Sequence, residues 1–184
     1  MKNFWSQFLF FCLLISLFHS QSASAQGDLT SQEFGDVFLV TLPAATMTTT
    51  LALQDFKGTW QFSKGLLVTM GVTYGLKYIV DKDRPDNSGS DSFPSAHTSA
   101  VFHSAGFVHK RYGLKYAIPS YLMAGFTGYS RIDSKKHDVF DVLAGMIIGL
   151  GSNFLFVTEY QQQHMQLTYS QQDEMRLIGF EYRF

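Results

Sequence analysis

Between Asp141 and Glu159 the chain reads VLAGMIIGLGSNFLFVT without one charged residue. A run that long and apolar fits either the central helix of a bundle or a membrane-crossing helix, and it leaves little room for other folds. Four further segments share its character, so helical patterning is predicted over 34–53, 60–80, 95–110, 114–129 and 137–158. Pro43 is expected to kink the first of these, whereas Pro119 falls in the opening turns of the fourth, where proline is tolerated. Gly145 and Gly149 have the GxxxG spacing that lets two helix backbones approach closely, and packing is the role expected of them. The predicted fold class is therefore all-α, a bundle of about five core helices.

The two ends differ from this core. The start, MKNFWSQFLFFCLLISLFHSQSASAQ, has Lys2, a short apolar stretch and Ala23-Ser24-Ala25, the pattern of a secretory signal cleaved after Ala25. The expected organisation is a signal peptide over 1–25, a lead-in over 26–33, the helical core over 34–158 and a polar tail over 159–184. In the tail RLIGFEYRF alternates Ile178, Phe180, Tyr182 and Phe184, a strand pattern that could pair with MQLTY as a small β-hairpin. The single cysteine, Cys12, lies in the signal segment, so the exported chain has no thiol for a disulfide, a nucleophile or a metal.

Composition narrows the partners. A net charge of −1 with no extended basic stretch points away from nucleic acid, while 16 % charged and 16 % aromatic residues make a membrane partner plausible. If all five segments crossed a bilayer, loops 81–94 and 130–136 would share the outer side and KRYGLK would lie inside, as positive charge prefers. His103, Lys64, Lys115 and Pro119 argue against full immersion, because buried charge is costly. A helical domain in the periplasm, soluble or docked on the membrane surface, is the alternative to an inner-membrane protein with a periplasm-facing site.

Three polar clusters sit at the ends of these segments. In KYIVDKDRP, Lys77 and Arg84 are seven residues apart, two helical turns if the helix persists. In SFPSAHTSA, Pro94 and Ser95 start a helix whose first N–H groups, at Ser95, Ala96 and His97, would form an anion nest. In SRIDSKKHDVFD, Arg131 offers a planar fork, and His137 and Asp141, four apart, share a helix face so that the carboxylate can orient the imidazole. Each cluster alone reads equally well as ordinary helix capping or surface charge. Together they supply three cations, a nest, a hydroxyl and two histidines, which is a phosphate site with a nucleophile and an acid. Lys82, Lys135 and Lys136 are read as solvated, and His103 and His109 as packing or surface residues.

The ordered pattern Lys77, Arg84-Pro85, Pro94-Ser95-Ala96-His97, Ser130-Arg131, His137 and Asp141 resembles the type 2 phosphatidic-acid phosphatases, whose active-site architecture is shared with class A acid phosphatases and vanadium haloperoxidases. The resemblance covers roughly 34–158 and departs from the family at Ala96, where glycine is usual. It implies in-line attack by His137 to give a phosphohistidine, with Asp141 fixing the tautomer and His97 protonating the leaving oxygen. Lys77, Arg84, Ser95, Ala96 and Arg131 would bind the phosphate, with Ser130 in support, and neither metal nor other cofactor is implied. The implied partner is a phosphorylated lipid or another phosphate ester. A phosphatidic acid, an isoprenyl pyrophosphate, a lipopolysaccharide phosphate and a soluble ester all remain open, since the motif residues grip only the phosphate. The alternatives are a vanadium-dependent haloperoxidase and an inactive anion-binding protein of the envelope.

Overall fold

The computed structural model describes residues 30–160, 165–172 and 175–182; the signal peptide predicted over 1–25 lies outside them. Among the described residues there are five helices, α1 (Ser31–Ala52), α2 (Phe56–Val80), α3 (Ala96–Tyr112), α4 (Leu114–Asp133) and α5 (Val139–Phe156), followed by strands β1 (Met165–Gln172) and β2 (Met175–Tyr182). The strands pair antiparallel in a register running from Met165 opposite Tyr182 to Gln172 opposite Met175. The all-α bundle expected for the core is what forms. Helix α1 continues through Pro43, and α2 begins at Phe56 rather than near residue 60, because Asp55 accepts the Gly58 N–H and caps it.

Helix α3 is the hub: it packs against each of the other four. Its small residues make this possible, with Ala100, Val101, Ala105 and Phe107 essentially without solvent exposure. The GxxxG pair of α5 lies directly on it. A Cβ at Gly145 would stand 2.6 Å from the Ser95 carbonyl oxygen, and one at Gly149 2.4 Å from that of Ser99, so glycine is what permits this backbone contact. His103 is enclosed by the same packing, with Nδ1 2.7 Å from Ser152 Oγ and Nε2 3.1 Å from the Phe62 carbonyl. The histidine that counted against immersion of this segment thus faces protein on every side, because α3 is a core helix surrounded by its neighbours.

The basic turn read in KRYGLK also changes character. Arg111 is buried at the end of α3, where it grips Asp55 through Nε at 2.7 Å and Nη2 at 2.5 Å. Outside the bundle the picture reverses: Trp60, Leu67, Ile79, Leu122, Phe140, Ile147, Phe154 and Leu155 are all exposed. Helices α1 and α5 are long and apolar enough to cross a membrane.

Candidate active site

The N-terminus of α3, the C-terminal end of α2, the last turn of α4 and the start of α5 converge at one end of the bundle. Two backbone links hold them there. The Ser95 N–H donates to the Asp141 carbonyl at 3.0 Å, joining α3 to α5, and the Lys136 and His137 N–H groups both donate to the Arg131 carbonyl at 3.1 Å, folding the α4–α5 loop back onto α4. That loop turns at Lys135, whose φ is 55°.

A cavity of about 340 Å³ opens at this junction, and Lys77, Arg84, Ala96, His97, Arg131 and His137 all line it. Six of the nine residues singled out in the sequence therefore share one space, while Ser95, Ser130 and Asp141 stand behind its wall. Leu39, Met70 and Tyr74 form an apolar side of the same cavity, between α1 and α2.

Several contacts differ from those expected. Lys77 and Arg84 do not share a helix face: α2 ends at Val80, with Asp81 left-handed at its C-cap. Arg84 returns through the loop and is held by both carboxylate oxygens of Asp91, at 2.8 and 3.1 Å, while the Asp91 carbonyl accepts from Lys77 Nζ. One aspartate thus sets the spacing of two cations, and the Arg84 hydrogen bond holds its carboxyl below the ordinary range. The nest is smaller than predicted, since the Ser95 N–H is taken. Ser95 is fully buried as the N-cap, accepting from Thr98 N at 3.4 Å and Thr98 Oγ1 at 3.0 Å. The first-turn N–H groups of Ala96 and His97 remain unused by the helix itself. Ala96 is helical, so a side chain in place of glycine meets no backbone penalty there.

The His137–Asp141 pair is the largest departure. Asp138, not His137, caps α5, in a reciprocal capping box with Asp141, so His137 precedes the helix and the shared-face argument does not apply. Its Nδ1 lies 3.7 Å from Asp141 Oδ2, beyond hydrogen-bond range, and this buried nitrogen has no hydrogen-bond partner among the described residues. Asp141 is instead filled by other donors: Lys82 Nζ at 2.8 Å, Ser92 Oγ at 2.5 Å and the Asp138 N–H at 3.0 Å. Lys82 also reaches Asp138 at 2.6 Å. Burial opposes its charge, but the hydrogen bonds to both aspartates outweigh this and raise its pKa. Lys82 is therefore a structural clamp, not a solvated lysine, and Ser92, in a loop whose composition resists burial, is fully buried. Lys136 likewise is paired, 2.6 Å from Asp86.

The His137 imidazole is kept neutral. Burial, then the nearby Lys77 charge and, more weakly, Arg84, lower its pKa from 6.5 to about 4, against the pull of Asp141. An unprotonated, enclosed imidazole sharing a cavity with three cations has the chemistry to act as a nucleophile toward an anionic electrophile.

Asp36, outside the three polar clusters, also reaches the site. Its Oδ1 lies 2.9 Å from His97 Nε2 and 2.9 Å from Arg131 Nη1. The signal available was that it is the one charge in the stretch 34–53, and a lone acid in an apolar helix is a marker of function.

A helical bundle with cations and imidazoles gathered in a cavity at one end is an arrangement able to bind a phosphate. Residues 58–165 match the PAP2 superfamily. The chain is 34 % identical over 171 residues to the lipid A 4'-phosphatase of Helicobacter pylori strain J99, covering 86 % of each protein. A shorter match, 36 % over 89 residues, joins 47 % of this chain to 20 % of the lipid A 1-phosphatase of Porphyromonas gingivalis. In fold it resembles the crystal structure of Aquifex aeolicus LpxE, with a TM-score of 0.60 over 68 % of this chain and 81 % of that one, at 20 % identity. The chain belongs to the PAP2 superfamily, and it is a phosphoric ester hydrolase.

Proposed function

We propose that the protein removes a phosphate monoester from a lipid A-type glycolipid, through a phosphohistidine on His137, at the periplasmic face of the inner membrane. The observation that carries this reading is the cavity itself, in which a neutral imidazole stands among Lys77, Arg84 and Arg131 beside an apolar wall of Leu39, Met70 and Tyr74. Cations hold the phosphate and the wall accepts an acyl-bearing neighbour. The near full-length similarity to a lipid A 4'-phosphatase makes the 4'-phosphate the first candidate. Helices α1 and α5, with the exposed apolar surface around the bundle, support insertion in the membrane.

Chemically, His137 attacks phosphorus as the bond to the leaving oxygen breaks, and His97 gives that oxygen its proton. Water then attacks phosphorus, His97 takes back a proton, and the phosphorus–nitrogen bond breaks to restore neutral His137. The three cations meet the charge spread over the equatorial oxygens. Asp141, pinned by Lys82 and Ser92, stands behind the imidazole, where its negative charge favours the positive charge that develops there during attack.

The test is phosphate release in excess chelator from lipid A carrying 1- or 4'-phosphate, phosphatidic acid, an isoprenyl pyrophosphate and p-nitrophenyl phosphate. Chelator-resistant release with preference for the 4'-phosphate is expected. No release from any ester, with halide oxidation once vanadate is added, would overturn the reading.

The pH profile checks the nucleophile. Attack needs the unprotonated imidazole, and kcat/KM reports the free enzyme. Because the His137 pKa lies at about 4 rather than 6.5, the acid limb of kcat/KM is expected near pH 4, with activity lost as pH falls through it. An acid limb at the ordinary histidine value would show that Lys77 and burial do not act on this ring as the geometry requires.

A further inference from the structure

Asp36 belongs to none of the three motifs, yet it contacts two of their residues. The first turns of α1 are built around Arg131. The Gln32 carbonyl accepts from its Nη2 at 2.8 Å, and Asp36 Oδ1 forms an ion pair with its Nη1 at 2.9 Å. A Cβ on Gly35 would fall 2.1 Å from Ser130 Oγ and 3.0 Å from Arg131 Nη2, so only glycine lets α1 come this close. Ser31 adds a hydrogen bond to Asp133 on the same helix. The placement of Asp36 is therefore a product of helix docking, not the chance reach of a surface acid.

We propose that Asp36 is a positioning residue for His97: it holds Nε2 and thereby leaves Nδ1 as the nitrogen that passes its proton to the leaving oxygen. This rests on the phosphohistidine reading above. The geometry follows the logic by which a carboxylate on one imidazole nitrogen fixes the tautomer and aims the other. Arg131 is not used up by the contact. A guanidinium has five N–H donors, and the protein contacts here engage Nε, Nη1 and Nη2 once each, through Ser130, Asp36 and Gln32. In the first step His97 is the imidazolium, with Nε2–H on Asp36 and the second proton on Nδ1; the leaving oxygen takes the Nδ1 proton as its bond to phosphorus breaks, leaving neutral His97 protonated on Nε2. In the second, water returns a proton to the same nitrogen.

An acid matters only when the leaving group needs a proton, and that separates positioning from mere structural support. The experiment compares Asp36→Asn with the wild type on an alkyl phosphate and on p-nitrophenyl phosphate, whose leaving group departs unprotonated. Since general acid catalysis is worth on the order of 10²- to 10⁴-fold, loss of the aimed proton is expected to lower kcat/KM for the alkyl ester by about tenfold or more. For p-nitrophenyl phosphate the change is expected to stay within about threefold, and Asp36→Glu to recover part of the alkyl activity. Equal losses on both esters, or none on either, would overturn the proposal. So would a gain on both with tighter inhibition by inorganic phosphate, which would make Asp36 a stand-in for substrate. Acid-labile, base-stable phosphoenzyme is measured in parallel in the wild type. Its absence overturns the phosphohistidine reading and this proposal together, whereas its presence with equal losses removes the role of Asp36 alone.

Discussion

Replacing His137 by alanine is expected to abolish phosphate release, by on the order of 10⁴-fold or more, the scale seen when a nucleophile acting within a unit is removed, while leaving the fold intact. Both halves follow from the same environment. Among the described residues that line the cavity the other imidazole is His97, which Asp36 holds through Nε2 and which in this reading serves as the acid, so it does not replace His137 as nucleophile. Its side chain is 4 % exposed and its Nδ1 is a buried polar atom without a hydrogen bond. Truncation removes that unmet group instead of stranding a partner, and the cost to stability is accordingly small. Unchanged thermal unfolding with lost turnover and lost phosphoenzyme is the expected pair of results. Release within tenfold of the wild type would show that phosphorus is attacked by something other than this imidazole.

At the far end of α2 and α3 the expected effect is the reverse, with stability lost and the site geometry spared. Asp55 caps α2 and holds Arg111 by two parallel hydrogen bonds, and Tyr112 adds its hydroxyl at 2.9 Å. The Arg111 side chain has 0 % exposure and that of Asp55 3 %. Asp55→Ala takes the Asp55 carboxylate from a buried guanidinium and removes the α2 cap in one change. Breaking a buried pair from one side costs about 3–5 kcal/mol, and the cap about 1 kcal/mol more. Equilibrium unfolding in detergent by urea is the measurement. A loss below about 1 kcal/mol would mean that the pair behaves as if solvated.

Much of this molecule is legible in its residues. The five helices follow from runs of apolar residues, and their boundaries moved mainly where a single capping side chain decided them, as Asp55 does for α2 and Asp138 for α5. The motif residues Lys77, Arg84, His97, Arg131 and His137 could be chosen for their chemistry alone, because a phosphate needs cations, an acid and a nucleophile whatever the fold. What periodicity misjudged were side chains whose partners are distant. Lys82 looked solvated because its neighbours are aspartates, but it turns to residues 56 and 59 positions away. Asp36 reaches His97 across 61 positions, and Arg111 reaches Asp55 across 56.

The sequence by itself determined which segments are helical and which groups can handle phosphate, since both depend on local hydropathy and on the chemistry of individual side chains. Only the tertiary structure decided that α3 is the enclosed hub, that Asp91 spaces two cations, that Lys82 and Ser92 draw Asp141 3.7 Å from His137, and that Asp36 holds His97. Those outcomes depend on the direction in which each polar side chain points once two helices meet. That direction is set by which donors and acceptors must find partners as water is excluded.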